Sequence, residues 1–222
     1  MPELALLYEH PAWFEPLFAA LDRAGIDYLK LSVTDHRFDP SYSRPPAPVV
    51  FNRVAMSSFL REPEHPVFYA TALLDHWRRG GARVLNGPEV LAIDSSKARQ
   101  LSLIHSLGHA VPDTRVVHRV ADLPAATDGM RWPLLVKANI GGSGAGIVRY
   151  NSREELERSI ADGTVPRSID QVLLVQDYVP PRGGTILRLE TLGGRFLYAL
   201  EVESGGESDA AKTLIARDCD AY

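Results

Sequence analysis

"LLVKANIGGSGAGIVRY", residues 134–150, is the stretch that decides how the chain is interpreted. An apolar run reaches Lys137, and four glycines then follow between Gly141 and Gly146. In a P-loop the lysine comes after the last glycine and opens a helix, whereas here it comes first. A dinucleotide-binding turn also needs a helix directly after the glycines, and the next helix signal is only at Ser152. The stretch therefore predicts a β-hairpin with a glycine-rich tip and argues against both of these motifs.

A hairpin tip of this kind is suited to an anionic ligand. Glycines carry no side-chain bulk, so backbone N–H groups can close over an anion while Lys137 supplies a positive charge. A polyphosphate fits this description. A hairpin without any ligand is the alternative that this stretch alone leaves open.

Composition narrows the classes of partner. The chain has 222 residues, 45% of them hydrophobic and 23% charged, which is typical of a globular protein. The net charge is -4 and the sequence has no Lys/Arg block, so the sequence predicts neither nucleic-acid binding nor a polybasic membrane anchor. Small molecules or proteins are the expected partners, and a homo-oligomer is left open.

The first residues and the cysteine content predict a cytoplasmic location. "MPELALLYEHPAWF", residues 1–14, lacks a basic segment, and its apolar run is too short for a signal peptide or a membrane span. Cys219 is the only cysteine, so an internal disulfide is impossible. An incidental thiol explains Cys219 better than a nucleophile, because no histidine lies near it in sequence.

Hydrophobic periodicity predicts an α/β fold. Strands and helices alternate over about the first 85 residues, which indicates a parallel sheet. The strand segments are "LALLY", "IDYLKLSV", "PVVF" and "ARVLNG", and the helical ones are "PAWFEPLFAALDRAG" and "VFYATALLDHWRRGG". Trp13, Trp77 and Trp132 lie in apolar patterns and are expected in the core.

The remainder of the chain predicts helices and hairpins. A helix within residues 92–108 has Asp94, Ser95 and Ser96 as capping candidates and ends at Gly108. Ser152 and Glu155 fit a capping box for the following helix. "VLLVQDYV" reads as a strand, and "ILRLETLGGRFLYALEVE" reads as a hairpin that turns at two consecutive glycines.

Four segments together resemble the ATP-grasp superfamily, and within it the group of RimK-type glutamate ligases, D-alanyl-D-alanine ligase and glutathione synthetase. They occur in the family's order and at about its spacing between residue 86 and about residue 203. The segments are "NGPEVLAIDSSKARQLSLIHSLGHAVPDT", "PLLVKANIGGSGAGIV", "VLLVQDYVP" and "RLETLGGRFLYA". The resemblance implies an N-terminal α/β domain over residues 1–85, a central ATP-grasp lobe over 86–172 and the beginning of a C-terminal lobe over 173–222.

The resemblance also implies the residues of an ATP site. Lys97 and Lys137 are expected to contact the phosphates, and Arg188 is expected near them as a catalytic residue. Tyr178 or apolar neighbours would pack on adenine, and backbone groups of Asp177 and Val179 would read it. The lid over the phosphates would consist of Gly141, Gly142, Ser143, Gly144, Ala145 and Gly146, and the adenine segment of Gln176, Asp177, Tyr178 and Val179.

The function implied is an ATP-dependent carboxylate–amine ligase that works through an acylphosphate and requires magnesium. Its substrates would be a small amino acid, a peptide or a protein. The alternatives left open are a non-catalytic nucleotide-binding regulatory or scaffold protein and, more weakly, a kinase-like phosphotransferase of the same architecture.

Two departures from the family qualify this implication. Ile186 stands where RimK-like members carry an acidic residue two positions before the arginine. The family's magnesium-binding Glu and Asn belong to a segment well beyond the hairpin, so we expect a truncated chain or a degenerate member. The acidic residues of the tail do not establish a substitute metal site by their spacing; these are Glu207, Asp209, Asp218 and Asp220.

Two further pairs have competing explanations. His105 and His109 are four residues apart, but Gly108 separates them, and surface histidines explain them better than a metal pair. Asn52 and Arg53 follow a predicted strand at the edge where parallel sheets bind ligands. They are either substrate-side residues or only a turn.

Overall fold

The computed structural model describes residues 2–42, 44–61, 65–142, 144–203 and 215–217. The chain forms two compact units, Met1–Ser106 and Leu107–Tyr222. The sequence predicts boundaries after residues 85 and 172 instead. A guanidinium nitrogen of Arg78 lies 3.5 Å from a carboxylate oxygen of Glu89. This ion pair within the first unit crosses the first predicted boundary. The three-part division stays a prediction.

The first unit is built on the predicted parallel sheet, which is confirmed. Its strand order is β2-β1-β3-β4 and every pairing is parallel. The strands are β1 (Leu4–Tyr8), β2 (Tyr28–Ser32), β3 (Val49–Asn52) and β4 (Arg83–Leu85). The helices are α1 (Pro11–Arg23), α2 (Pro66–Arg79), α3 (Pro88–Asp94) and α4 (Lys97–Ser106), with a short 3₁₀ helix at Met56–Leu60.

Strand β1 is buried on both faces, as expected for an inner parallel strand. Leu6 packs on one face with Phe14 and Phe18 of α1. Ala5 and Leu7 pack on the other face with a larger cluster that includes residues of α2. The alternating side chains of one strand therefore join two hydrophobic clusters.

Trp13 is not in the core, although Trp77 is. Helix α1 buries Phe14 and Phe18, four residues apart, and Trp13 lies off that face with 55% of its surface exposed. The His10 ring stacks on it with ring centres 4.6 Å apart, and the Arg61 guanidinium lies 4.6 Å from its ring centre. The core assignment of Trp13 was therefore wrong, because periodicity cannot resolve the edge of an amphipathic face.

The structure selects one of the three predicted capping residues at the start of α4. Asp94 belongs to the end of α3, which begins at Pro88 in the first helical position. The Ser96 hydroxyl accepts a hydrogen bond from the Arg99 N–H at 3.3 Å. Ser96 is therefore the capping residue of α4, and Lys97 is its first residue.

The second unit contains two sheets. The first is antiparallel, with strand order β5-β8-β6-β7, and the second has the order β11-β10-β9. Its strands are β5 (Thr114–Val117), β6 (Leu134–Ala138), β7 (Ile147–Tyr150), β8 (Leu173–Asp177), β9 (Thr185–Leu192), β10 (Arg195–Glu203) and β11 (Ile215–Arg217). Its helices are α5 (Leu123–Ala126) and α6 (Arg153–Ala161), with 3₁₀ turns at Val120–Asp122 and Arg182–Gly184.

Both predicted hairpins are confirmed. Strands β6 and β7 pair antiparallel on either side of the glycine-rich segment. Strands β9 and β10 pair antiparallel around Gly193 and Gly194, whose φ angles of +58° and +76° match the turn type that suits the twist of a hairpin.

Helix α6 begins at the predicted capping box, with one difference in register. The Ser152 hydroxyl accepts from the Glu155 N–H at 3.3 Å. The Glu155 carboxylate accepts from the N–H of Asn151 at 2.7 Å, one residue before the cap. The helix start is thus stabilised from both directions, as a capping box requires.

The β6 end of the glycine-rich segment is anchored by Asp170. Its carboxylate accepts from the side-chain amide of Asn139 at 2.6 Å, from the Val172 N–H at 3.1 Å, and from the Ser168 hydroxyl. Ser168 in turn accepts from the Ile140 N–H at 3.1 Å. The first residues after β6 are therefore tied to the segment that leads into β8.

The β7 end is closed by Gly146. Its carbonyl accepts from the Ala138 N–H at 2.7 Å, and its φ is +70°. A Cβ atom at this position would lie 2.7 Å from the Cβ of Ala138. Both the backbone angle and the close approach therefore require glycine here.

We expect Gly146→Ala to lower the free energy of unfolding of the second unit by more than Gly163→Ala does. Gly163 has a similar φ of +67°, but a Cβ atom added there would meet no neighbour within 4 Å. Each change costs about 1–2 kcal/mol for the left-handed angle, and only Gly146→Ala adds the clash with Ala138. Urea denaturation of the two variants measures the difference, and equal losses would contradict the close contact.

We expect Asp170→Ala to destabilise the chain by about 2 kcal/mol or more, because it removes a charged acceptor from several donors at once. Asp162→Ala, at the exposed end of α6, is the matched control and should have little effect. Thermal unfolding of both variants checks this expectation. A loss no larger than that of the control would show that the anchor does not stabilise the hairpin.

Candidate functional site

One face of the β5-β8-β6-β7 sheet is apolar and the other carries polar side chains. On β6, Leu134, Val136 and Ala138 are almost completely buried on the apolar face. Leu135 and Lys137 alternate with them and therefore project from the opposite face. The apolar face packs with Leu156 of α6 in a single hydrophobic cluster. The polar face is thus held in place by a core on its reverse side.

The strand register places four polar residues of this face close together, namely Thr114, Lys137, Arg149 and Gln176. Leu135 of β6 lies opposite Gln176 of β8 and Arg149 of β7, and Gln176 lies opposite Thr114 of β5. Residues opposite each other in antiparallel strands share a face. Lys137 is two residues further along β6, next to the glycine-rich segment.

A chain of hydrogen bonds fixes the orientation of the Gln176 side chain. The ammonium group of Lys137 donates to its amide oxygen. Its amide nitrogen donates to the Thr114 hydroxyl at 2.8 Å, and that hydroxyl donates to the Pro112 carbonyl at 2.8 Å. An ammonium group can only donate hydrogen bonds, so the amide oxygen of Gln176 must face Lys137. Gln176 is only 5% exposed, so this arrangement is set inside the unit rather than by solvent.

The glycine-rich segment begins four residues after Lys137, at Gly141, and ends at Gly146, next to the residue paired with Lys137. Gly144 and Gly146 have φ angles of +78° and +70°, and the Ala145 N–H donates to the Gly142 carbonyl at 3.0 Å. Gly141 is buried and Gly142 is half-buried. The predicted lid residue Ser143 lies outside the described residues. Small residues are therefore concentrated beside the lysine.

The predicted adenine segment lies at the end of β8. The Asp177 N–H donates to the Asp113 carbonyl at 3.0 Å and the Tyr178 N–H to the Pro133 carbonyl at 3.4 Å, so strand pairing uses both N–H groups. Val179 is 63% exposed. The carboxylate oxygen Oδ1 of Asp177 is buried and has no hydrogen-bond partner among the described residues.

The structure groups some of the predicted residues and not others. Lys137, the glycines and the segment from Gln176 to Val179 belong to one sheet and its loops in the second unit. Lys97 belongs to the first unit. Arg188 is exposed on β9, opposite Leu200, in the other sheet of the second unit.

Two residues of the polar face were not recognised from the sequence. Thr114 orients Gln176, and the Arg149 guanidinium lies 4.5 Å from the centre of the Tyr178 ring. The alternation in "IVRY" does predict that Arg149 and Tyr150 point to opposite faces. Which strand would lie beside Arg149 depends on a strand order that no local pattern gives.

Asn52 has a structural role that supports the turn explanation. It is 3% exposed, donates to the Asn86 carbonyl at 3.1 Å and accepts from the Val54 N–H at 3.0 Å. Asn86 donates back to the Asn52 carbonyl at 3.2 Å, which joins the ends of β3 and β4. The Arg53 guanidinium lies over the Phe14 and Phe51 rings.

Neither a cluster of metal ligands nor a membrane-spanning helix is found among the described residues. His105 and His109 are exposed, and within the described ranges no three His, Cys, Asp or Glu side chains come together as a metal site would need. Across the same ranges, no helix has the length and apolarity to cross a bilayer. Cys219 and the four acidic residues of the tail lie outside these ranges.

Curated relatives are glutamate ligases by name. The chain is 31% identical over 137 residues to a probable alpha-L-glutamate ligase of Thioalkalivibrio sulfidiphilus, a match that covers 60% of this chain and 44% of the relative. The chain thus spans less than half the length of the curated relatives it matches. No family model matches the sequence.

Solved structures give the fold. A RimK domain ATP-grasp protein from Sphaerobacter thermophilus superposes with a TM-score of 0.67 at 18% identity, over 90% of this chain and 72% of that one. The D-cycloserine synthetase DcsG gives a TM-score of 0.67 at 20% identity, over 98% of this chain and 75% of that one. The α/β architecture predicted from the sequence is therefore confirmed as the ATP-grasp fold. The chain therefore has the fold of ATP-grasp proteins and is similar over part of its length to curated glutamate ligases, as the resemblance in the sequence implied.

Proposed function

We propose that the chain provides the nucleotide-binding part of an ATP-dependent carboxylate–amine ligase. The observation that carries this proposal is the contact between Lys137 and the buried Gln176 on the polar sheet face, directly beside the glycine-rich hairpin tip. A cation held at a fixed position next to backbone amides is the arrangement that phosphate groups require. The ligase names of the relatives supply the reaction class.

The reaction proposed has two displacement steps. A carboxylate oxygen attacks the γ-phosphorus of ATP, the bond to ADP breaks, and an acylphosphate forms. An amine nitrogen then attacks the acyl carbon, phosphate leaves with the bonding electrons, and the amine loses a proton as the amide forms. In the first step the chain's own contribution is positioning and charge neutralisation rather than covalent chemistry.

Each site residue has a proposed role in that step. Lys137 neutralises phosphate charge, and Gln176 together with Thr114 keeps its ammonium group in position. The glycines at 141, 142, 144 and 146, with Ser143, close over the phosphates. Lys97 and Arg188 remain proposed phosphate contacts.

The base would be bound by the segment that follows β8. Asp177 and Tyr178 use their N–H groups in strand pairing, so the side chains and the other backbone groups of residues 176–179 would contact the adenine. Magnesium, which ATP-grasp ligases usually require, would neutralise the polyphosphate charge. Among the described residues, no group of three or more His, Cys, Asp or Glu side chains could hold it.

The substrates proposed are amino acids or peptides. The relatives' names point to glutamate as the amine substrate, joined to a peptide or protein carboxylate. A cytoplasmic location, no nucleic-acid partner and a homo-oligomeric state remain predictions from the sequence.

We expect Lys137→Met to weaken ATP binding about tenfold or more, because it removes a charge-assisted contact while keeping most of the side-chain volume. Isothermal titration with ATP, with and without magnesium, measures the change. Lys30→Met is the matched control, since Lys30 lies in the first unit over the Phe18 ring. Equal affinities for both variants would contradict the phosphate role of Lys137.

We expect ATP hydrolysis or ligation only when both a carboxylate and an amine substrate are present. Phosphate release is measured with ATP, magnesium and each amino acid or peptide, and the product mass identifies an amide bond. ATP binding that no substrate converts into ADP would instead favour the regulatory or scaffold alternative. ADP formation with a phosphorylated product and no amide would favour the phosphotransferase alternative.

A further inference from the structure

Arg149 lies on the polar sheet face but has no role in the site described so far. It is opposite Leu135, in the same row as Gln176 and Thr114. Its guanidinium carbon lies 4.5 Å from the centre of the Tyr178 ring, close enough for a cation–π contact. Tyr178 directly follows β8 in the proposed adenine segment.

The Arg149 side chain has an unsatisfied donor. Its Nε atom is buried and has no hydrogen-bond acceptor among the described residues. Stacking on a ring compensates part of the guanidinium charge, but the N–H groups lie in the guanidinium plane and still need acceptors. A buried donor without an acceptor is destabilising, so native proteins rarely retain one without a reason.

The position along the strand indicates which part of a nucleotide Arg149 would meet. Lys137 pairs with Ile147 and Leu135 with Arg149, so Arg149 is two residues further from the glycine-rich tip than Lys137. Two residues span about 7 Å along a strand. If the tip covers the phosphates, Arg149 is at the nucleoside end of the site, beside Gln176 and Tyr178.

We propose that Arg149 is a base-recognition residue, whose guanidinium group meets the edge of the purine while the Tyr178 ring holds that group in position. The inference rests on the proposed function, because it assumes that a nucleotide occupies this face. A purine offers acceptor nitrogens at several ring edges, and the terminal N–H groups of a guanidinium are suitable donors for them. Arg149 would therefore determine which nucleotide is preferred. A contact with the phosphates could not do so, because all nucleoside triphosphates share them.

The test compares affinities for ATP and CTP, which share the triphosphate and differ in the base. Isothermal titration is performed on the whole chain, on Arg149→Lys and on Arg149→Met. Arg149→Lys keeps a cation near Tyr178 but lacks the planar donor at this position, and Arg149→Met keeps the apolar stem. Arg158→Met, on the exposed surface of α6, is the matched control.

We expect the unsubstituted chain to prefer ATP, and both Arg149 variants to lose about tenfold of that preference while affinity for CTP changes little. An equal loss of affinity for both nucleotides, or no loss, would overturn the inference and leave the proposed function standing. So would an unsubstituted chain that binds both nucleotides equally. Failure of the unsubstituted chain to bind either nucleotide would instead remove the proposed function itself.

A purely structural role for Arg149 gives a different result. If stacking on Tyr178 only stabilises the sheet, Arg149→Met lowers the unfolding temperature without changing the ratio of the two affinities. Thermal unfolding of each variant is therefore measured beside the titrations. A changed ratio in Arg149→Lys at an unchanged unfolding temperature is the result that supports base recognition.

Discussion

The two-faced character of β6 is the constraint on which the second unit depends. Leu134, Val136 and Ala138 must be buried together, and the period of a strand then forces Lys137 to the opposite face. A shift of one residue in register would place the lysine in the hydrophobic core. The energy that buries the apolar face therefore also fixes where the cation is located. Folding and the proposed chemistry are coupled through one strand.

The hairpin combines a fixed base with a tip of small residues. Asp170 holds the chain where it leaves β6, and the close approach of Gly146 to Ala138 holds it where it enters β7. Between these points Gly141, Gly142 and Gly144 impose few side-chain constraints. The pairing of β6 with β7 ends at Lys137 and Ile147, and the Ala138 N–H then donates to the Gly146 carbonyl, so these three glycines lie outside the paired strands.

Much of this organisation could be predicted from the sequence, because it depends on local patterns. Glycine-rich breaks between strand-like runs indicated both hairpins, and the spacing of Ser152 and Glu155 indicated the start of α6. The polar network could not be predicted in the same way. Thr114 and Gln176 are 62 residues apart, and only the order β5-β8-β6-β7 makes them neighbours. Arg149 meets Tyr178 for the same non-local reason.

The error at Trp13 has a different origin from the omission of Thr114. Helical periodicity correctly identified the buried pair Phe14 and Phe18, but Trp13 is one residue away and its ring lies against His10 and Arg61 at the surface. A large aromatic residue satisfies an apolar pattern whether it is in the core or beside it. Periodicity fixes the centre of a buried face, and the packing of neighbouring elements fixes its edge.

Gln176 is a suitable partner for Lys137 if that lysine binds a phosphate, as proposed. A carboxylate at this position would form an ion pair with Lys137 and reduce its attraction for phosphate, because opposite charges within hydrogen-bond distance compensate each other. An amide oxygen orients the ammonium group without adding negative charge. Thr114 and the Pro112 carbonyl then prevent the amide from turning its nitrogen toward the lysine. The buried network therefore sets the position of the ammonium group, and the network itself carries no charge.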